Sequence, residues 1–369
     1  NRCSDKDLSL VAKGWGCGSP LSQPCFDFEQ CERSRGIYVY DFNCSLSDSS
    51  ALLAVDEAQR IGEKRDPHFI DWVFRNAAQE AGKLAATYES ACLFMHVTRG
   101  EKEPCAVKSH LWNDGMNHVM VDFGDNGRER RRPVADSYAM EAASNMHSCV
   151  YRTGYDVSLP LGPEGYFHSL AKISPLDRNF FLTTKGTVYL AGYGSEERLS
   201  VAPLHDEVNG VIMSMHCFEN HGEHLLPANA DYCKYLEDRY EDHDYVSLMN
   251  STFGLVPAGR SPGTYRLAEV MGAGVIPVIV ARDIVLPFRE QFDWPSFSFV
   301  FSPDHVGSMV ATLRGIPHKK LEEMQRKSLE AYRTMFGGGG THSGPRAFEP
   351  IAKRLINILL QRIHHRGGR

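Results

Sequence analysis

The chain has no apolar run approaching the roughly 20 residues that a transmembrane helix needs, so no part of it reads as such a span. It also lacks a surplus of positive charge. Lys and Arg number 40 and Asp and Glu 46, a formal net charge of -6, whereas a dedicated nucleic-acid binder carries a basic domain. Any anionic ligand must therefore be met by a local patch. No two of the ten cysteines have the CxxC spacing of a zinc knuckle. No internal repeat recurs, which removes the solenoid and propeller classes.

What is present suffices for a packed fold. With 369 residues, 42% hydrophobic and 23% charged, the chain has a globular balance, and roughly 100–200 residues per domain predicts two domains. The cysteines are Cys3, Cys17, Cys25, Cys31, Cys44, Cys92, Cys105, Cys149, Cys217 and Cys233. Their even number and the crowding of the first four predict disulfides and an oxidising compartment. Unpaired buried thiols in a cytosolic protein are the alternative. Two sequons, at Asn43 and Asn250, agree as candidate glycosylation acceptors. Cys217 and Cys233 flank a polar excursion rich in His and Asn and are expected to be joined, which would add roughly 3 kcal/mol by restricting the unfolded chain. The chain begins at Asn1 rather than Met, so an upstream signal or anchor segment is expected.

Residues 1–35, rich in Cys, Ser, Pro and Gly, read as a disulfide-stapled entry segment. Short apolar runs follow at 37–40, 91–97 and 118–123, with helical spacing between them at Phe69, Trp72, Val73 and Ala77. A second series occurs at 180–184, 211–215, 253–257, 275–280 and 297–301. Strand and helix alternation predicts parallel sheets covered on both faces. The expected architecture is α/β, two facing Rossmann-like domains over 36–175 and 176–345, followed by a C-terminal helix and tail over 346–369. One larger mixed sheet is the alternative. Two late apolar stripes, Leu321 to Phe336 and Ile351 to Leu359, read as core faces of helices that pack back, joined through Gly337 to Gly340.

The segment Asn250 to Val280 is the most informative. A buried strand ends at Pro257, a Gly/Ser/Pro turn follows, and a helix begins near Thr264. Free backbone N–H groups and a helix N-terminus at one spot suit a diphosphate. Arg260 and Arg266, with Ser261 between them, can stabilise a departing nucleotide diphosphate without a metal. Glu269, three residues beyond Arg266, can accept both hydroxyls of a ribose. The simpler reading is an i, i+3 surface pair.

These residues carry a resemblance to the exostosin family of glycosyltransferases. Ser251 to Arg260 is similar to that family's S-x-F-C-L-V-P-R-G-R block, and Thr264, Arg266 and Glu269 to its S-x-R-x-x-E. Gly274 to Val278, Leu286 to Phe288 and Asp293-Trp294 continue the series. The first half agrees at Cys25 to Phe28 with Cys31, Val39-Tyr40, Ala91 to Phe94, Leu111 to Asn113 with Asn117-His118, and Gly154 to Ser158. Nearly the whole chain is covered, and it resembles the exostosin half of heparan sulfate polymerases without their second transferase domain. The resemblance implies a GT-B fold, a UDP-sugar donor, inversion at the anomeric carbon and no required divalent ion or other cofactor. It makes Arg260, Arg266 and Glu269 donor-site residues. Three positions depart from it. Ala258 stands where relatives often carry Arg, Val188 where active relatives often carry another, and Gly254 in place of a strand Cys.

An inverting transfer needs a base near the acceptor hydroxyl, and Asp156 and His118 are the candidates; a turn cap and a core histidine are their simpler readings. Asp242-His243-Asp244 has a metal-binding D-x-D spacing, but its charged context reads as a solvated helix end, and no metal is expected. The RERRR run, Arg128 to Arg132, could hold an anionic glycan or be a solvated loop. Three functions follow: transfer of a sugar such as glucuronic acid to an oligosaccharide or polysaccharide acceptor, transfer of galactose, xylose or arabinose, or a catalytically silent partner of a glycan polymerase. The expected partners are a UDP-sugar, the glycan and a related transferase in a homo- or hetero-dimer, with no nucleic acid. The expected location is the Golgi or endoplasmic reticulum lumen on a type II anchor outside this chain, or secretion.

Overall fold

The computed structural model describes residues 17, 25–41, 44, 68–98, 104–124, 137–144, 146–162, 167–190, 194–218, 227–337 and 347–364. They form two α/β units. One comprises Asn1–Pro160, Val285–Glu290 and His342–Arg369, the other Leu161–Ile284 and Gln291–Thr341.

The first unit carries five parallel strands in sequence order: β1 (Gly36–Val39), β2 (Ala91–Thr98), β3 (His118–Asp122), β4 (Met140–Ala143) and β5 (Val157–Ser158). Every residue of β2 and β3 is buried, as expected when helices cover both faces of a parallel sheet and each strand is then apolar throughout. Helix α1 (Phe28–Arg33) starts at Asp27, whose carboxylate accepts from the Gln30 N–H, and is tied to β2 by a Cys31–Cys92 disulfide. Helix α2 (His68–Glu80) lies against β1 and β2. Cys17–Cys25 and Cys44–Cys105 are also joined.

The second unit is built on β6 (Phe180–Tyr189), β7 (Val211–Phe218), β8 (Ser251–Pro257), β9 (Ile276–Val280) and β10 (Phe299–Phe301), parallel and in the order β10-β9-β8-β6-β7. Its helices are α3 (Ser195–Val201), α4 (Pro227–Tyr240), α5 (Tyr245–Leu248), α6 (Arg266–Gly272), α7 (Met309–Arg314) and α8 (His318–Phe336). The Cys217–Cys233 disulfide ties α4 to β7. The chain then returns: α9 (Glu349–His364) belongs to the first unit and packs on α2, with Lys353 2.7 Å from Glu80.

The change from one unit to the other falls after Pro160 rather than at 175. Residues 161–175 belong to the second unit because Arg178, buried there, donates to the carbonyls of Leu170, Ile173, Met249, Ala273 and Gly274. Burial pulls the Arg178 guanidinium down to about 10. At Gly254, an added Cβ would lie 2.6 Å from the Val270 side chain of α6, so the missing strand cysteine is a matter of helix packing against β8.

Candidate functional site: a cationic pocket where β6 and β8 part

The order of the second sheet reverses between β6 and β8. In open parallel sheets, ligands bind outside the carboxyl ends of the strands at such a reversal. The first sheet, among the described residues, runs β1 to β5 without one. β6 and β8 stay paired as far as Thr183 and Gly254. Beyond that, β6 follows β7 to Tyr189 and β8 follows β9 to Pro257. The split opens a pocket of about 320 Å³ lined by Thr184, Lys185, Gly186, Thr187, Arg198, Tyr245, Pro257, Thr264, Tyr265, Arg266 and Glu269.

Arg266, the first residue of α6, is 7% exposed. Its Nε donates to the Leu255 carbonyl at 2.8 Å and its Nη2 to the Thr183 carbonyl at 3.1 Å. Backbone carbonyls at a parting sheet lose their strand partners and need others, and this guanidinium supplies them. Its Nη1 is buried with no hydrogen-bond partner among the described residues. Three residues before the end of α6, Glu269 accepts a hydrogen bond from the Tyr245 hydroxyl. Burial first, and Glu269 as well, push the Tyr245 phenol up to about 12. Tyr245 also stands with its ring centroid 5.8 Å from that of Phe167.

The second cation comes from α3. Arg198 donates from Nε to the Ala258 carbonyl at 2.9 Å and from Nη1 to the Thr187 carbonyl at 2.6 Å. Burial, with a contribution from Arg266, lowers the Arg198 pKa. Lys185 is spoken for: its ammonium donates to the Tyr240 and His243 carbonyls and lies 3.9 Å from the centre of the Tyr240 ring.

Of the donor-site residues read from sequence, Arg266 and Glu269 line the pocket and Arg260 and Ser261 do not. The Gly259 N–H closes the turn on the Ser261 carbonyl at 3.1 Å, which leaves Arg260 exposed and Ser261 buried beside it. The helix dipole expected at this turn contributes little. Helix α6 has only seven residues, so side-chain cations dominate its electrostatics. Arg198 was missed because the polar second half of β6, Lys185 to Thr187, hides the strand that leads into α3; the Gly194 to Arg198 turn-and-helix start was the available signal.

The two candidate bases are core groups. Asp156 is 1% exposed, and its carboxylate accepts from Arg152 Nε and Nη2 at 2.9 and 2.7 Å and from the N–H groups of Glu141 and Arg152 at 2.9 Å each. A carboxylate so occupied fixes the Arg152 to Tyr155 turn and takes no acceptor proton. His118 is 0% exposed, stacked on Phe94 and Tyr40. Its Nδ1–H donates to the Met116 carbonyl at 2.9 Å, so Nε2 accepts from the Tyr40 hydroxyl at 3.0 Å. Burial, opposed by that carbonyl bond and aided by His96, brings its pKa down to about 4 from 6.5. The unfolded chain therefore takes a proton that the folded one refuses between about pH 6.5 and 4. Stability present above that window falls by about 3 kcal/mol through it. Urea titrations at pH 7 and pH 4.5 are expected to show the loss, and His118→Phe to remove most of the pH dependence in this window.

Asp244 caps α5, accepting from the Val246 and Ser247 N–H groups, and Asp242 is exposed, so the D-x-D spacing is a helix cap. Cys44, His96 and Cys105 sit together like metal ligands, but their two sulfurs are joined. Asn250 is a poor glycan acceptor in this fold: its Oδ1 is buried without a partner, and the Ser251 and Thr252 of its sequon are buried in β8, Thr252 donating to the Pro175 carbonyl at 2.7 Å. Asn43 and the Arg128 to Arg132 run lie outside the described residues.

Two Rossmann-like units, the domain composition of the GT-B class, with a cationic pocket at the switch point of the second, place the chain among the glycosyltransferases. Residues 65–316 match the Exostosin GT47 domain, and the chain belongs to that family. It is 24% identical over 370 residues to the Exostosin-1 homolog of Caenorhabditis elegans, covering 93% of this chain and 89% of that one. It is 27% identical to Exostosin-1 of Drosophila melanogaster and 26% to that of Pongo abelii, covering 97% and 96% of this chain but only 47% and 46% of theirs. The chain thus spans about half the length of those two relatives. Among solved structures, a glycosyltransferase from Rickettsia africae aligns with 90% of this chain and 99% of its own, at 9% identity and a TM-score of 0.40.

Proposed function

We propose that the chain transfers a sugar from a UDP-sugar to a glycan acceptor with inversion, the donor diphosphate lying in the pocket between β6 and β8. The observation that carries this reading is the Arg266 guanidinium. It is buried at the switch point, anchored on both strands, and has one N–H nitrogen left unpartnered. A desolvated cation with a spare donor is stabilised by an anionic oxygen, and it can stabilise the charge that develops on a leaving diphosphate. Glu269, one helical turn further along α6, is in place to accept from ribose hydroxyls. Glucuronic acid is the favoured sugar on the family resemblance; galactose, xylose or arabinose are the alternatives. The acceptor is a growing oligosaccharide or polysaccharide. The described disulfides support a lumenal, Golgi-type location, and no described helix is long and apolar enough to cross a membrane.

The same pocket bears on the metal. Among the described residues its lining holds a single carboxylate, Glu269, already bonded to Tyr245, beside Arg266 and Arg198. A divalent cation would meet two guanidinium groups and one shared acid, a poor oxygen cage. Donor hydrolysis assayed across a panel of UDP-sugars in excess EDTA is expected to keep its full rate for one of them. Loss of that rate, restored by Mn²⁺, would contradict the metal-free reading. No turnover of any UDP-sugar, with or without Mn²⁺ and acceptor, would favour the silent-partner function.

A further inference from the structure

We infer that Arg198 is the second phosphate-binding cation of this pocket and makes it select a nucleoside diphosphate over a monophosphate. The inference rests on the donor reading above. Arg266 and Arg198 are held in the same way: each spans the opening between β6 and β8 by donating to one carbonyl on either side, Thr183 and Leu255 for the first, Thr187 and Ala258 for the second. Each bidentate anchor fixes a guanidinium and commits two of its nitrogens. In Arg266 the nitrogen left over is Nη1; in Arg198 it is Nη2, which has no hydrogen-bond partner among the described residues.

Among the described residues Glu197 favours the Arg198 charge only through space, without an ion pair between the two. No carboxylate forms an ion pair with Arg198 among them, and its nearest rings are neutral, Tyr189 at 5.0 Å. Burial and the neighbouring Arg266 both work against its charge. Two like charges facing one pocket, each with a free donor, are stabilised together by a ligand carrying more than one negative charge.

The local fold is shaped to deliver Arg198 there. Gly194, at φ 82°, begins α3, and a Cβ on it would lie 2.0 Å from the Gly259 carbonyl oxygen. Only glycine lets α3 approach the turn after β8 this closely, and that approach puts Arg198 on the Ala258 carbonyl. An added Cβ at Gly186 would stand 3.2 Å from Arg198 Nη1, so the strand side is cleared for the same group.

Position along the strands gives Arg198 its share of the ligand. Arg266 lies at the level of Thr183 and Leu255, with Glu269 one helical turn further along α6, and Arg198 lies further towards the strand ends, at Thr187 and Ala258. With the ribose at Glu269, Arg266 meets the first phosphate and Arg198 the terminal one, which carries the sugar and leaves with it broken off. Val188 and Ala258, buried at 0% and 1%, hold no charge, and the cation arrives from α3 instead.

The test is calorimetric titration of UDP, UMP and uridine in EDTA against the wild type, Arg198→Gln, Arg198→Lys and Arg266→Ala. A charge-assisted bond lost from the terminal phosphate is expected to weaken UDP binding roughly 10- to 100-fold in Arg198→Gln while UMP and uridine change little. Arg198→Lys, with charge but no fork, should fall between. The ratio of UDP to UMP affinity within one variant does not depend on the fraction folded, so a loss of stability does not obscure the result. A wild-type ratio in both Arg198 variants overturns the inference. If Arg266→Ala still loses UDP in that case, the donor reading stands without it, whereas a wild type that binds none of the three ligands overturns both.

Discussion

Replacing Arg266 by alanine is expected to lower kcat/KM with the preferred UDP-sugar by roughly 10²–10³-fold, the effect of removing one preorganised donor from a developing anion. UDP affinity should fall with it. The substitution also has a structural cost, because the Thr183 and Leu255 carbonyls lose their guanidinium partner. Unsatisfied buried carbonyls cost about 1–3 kcal/mol each, so the variant should melt at a lower temperature than the wild type. Kinetics read against the folded fraction separate the two effects. A variant that keeps wild-type kcat/KM and UDP affinity would remove Arg266 from the donor site.

Asp156→Ala is expected to destabilise the protein by about 3–5 kcal/mol, the usual consequence of stripping the partner from a buried charge. Arg152 and Asp156 are 2.7 Å apart with side chains 5% and 2% exposed. Removing the carboxylate leaves Arg152, the Glu141 N–H and the Arg152 N–H without their acceptor. Arg152 also holds the Ala139 carbonyl at 2.6 Å, so the turn that leads into β5 loosens as a unit. Chemical denaturation at neutral pH measures the change. A loss below about 1 kcal/mol accompanied by a dead but folded enzyme would return Asp156 to the catalytic machinery.

These two residues show where the sequence was informative. The buried strands were legible because a parallel sheet covered on both faces imposes continuous apolar runs, and eight of the ten were found that way, from β1 at Ile37 to β10 at Phe301. The two that escaped are β4, interrupted by Glu141, and β5, only two residues long. The run starting at Phe180 was cut short at Thr184, whereas β6 continues to Tyr189. The lost half, Lys185 to Thr187, is polar because it lines the pocket. The chemistry erased the pattern used to find the strand.

The site was half legible for the same reason. Arg266 and Glu269 stood out because they share a helix face beside a Gly-rich turn. Arg260, in the same turn, looked equivalent in sequence, and only the closure of Gly259 on Ser261 separates it from the pocket. Arg198 lies on a different helix and reaches the site through a close approach at Gly194, which no spacing rule reports. Asp156 and His118 had the right chemistry for a base, but their hydrogen-bond partners, Arg152 and Tyr40, decide their roles.

The central claim is that a nucleoside diphosphate binds where β6 and β8 part, and hydrogen–deuterium exchange with and without UDP tests it most directly. The account predicts slowed exchange in 183–187, in 255–269 and around Tyr245, present in EDTA and absent in Arg266→Ala, with the strands of the first unit unchanged. Saturating UDP that leaves those segments unprotected, or protects only the first unit, would contradict it.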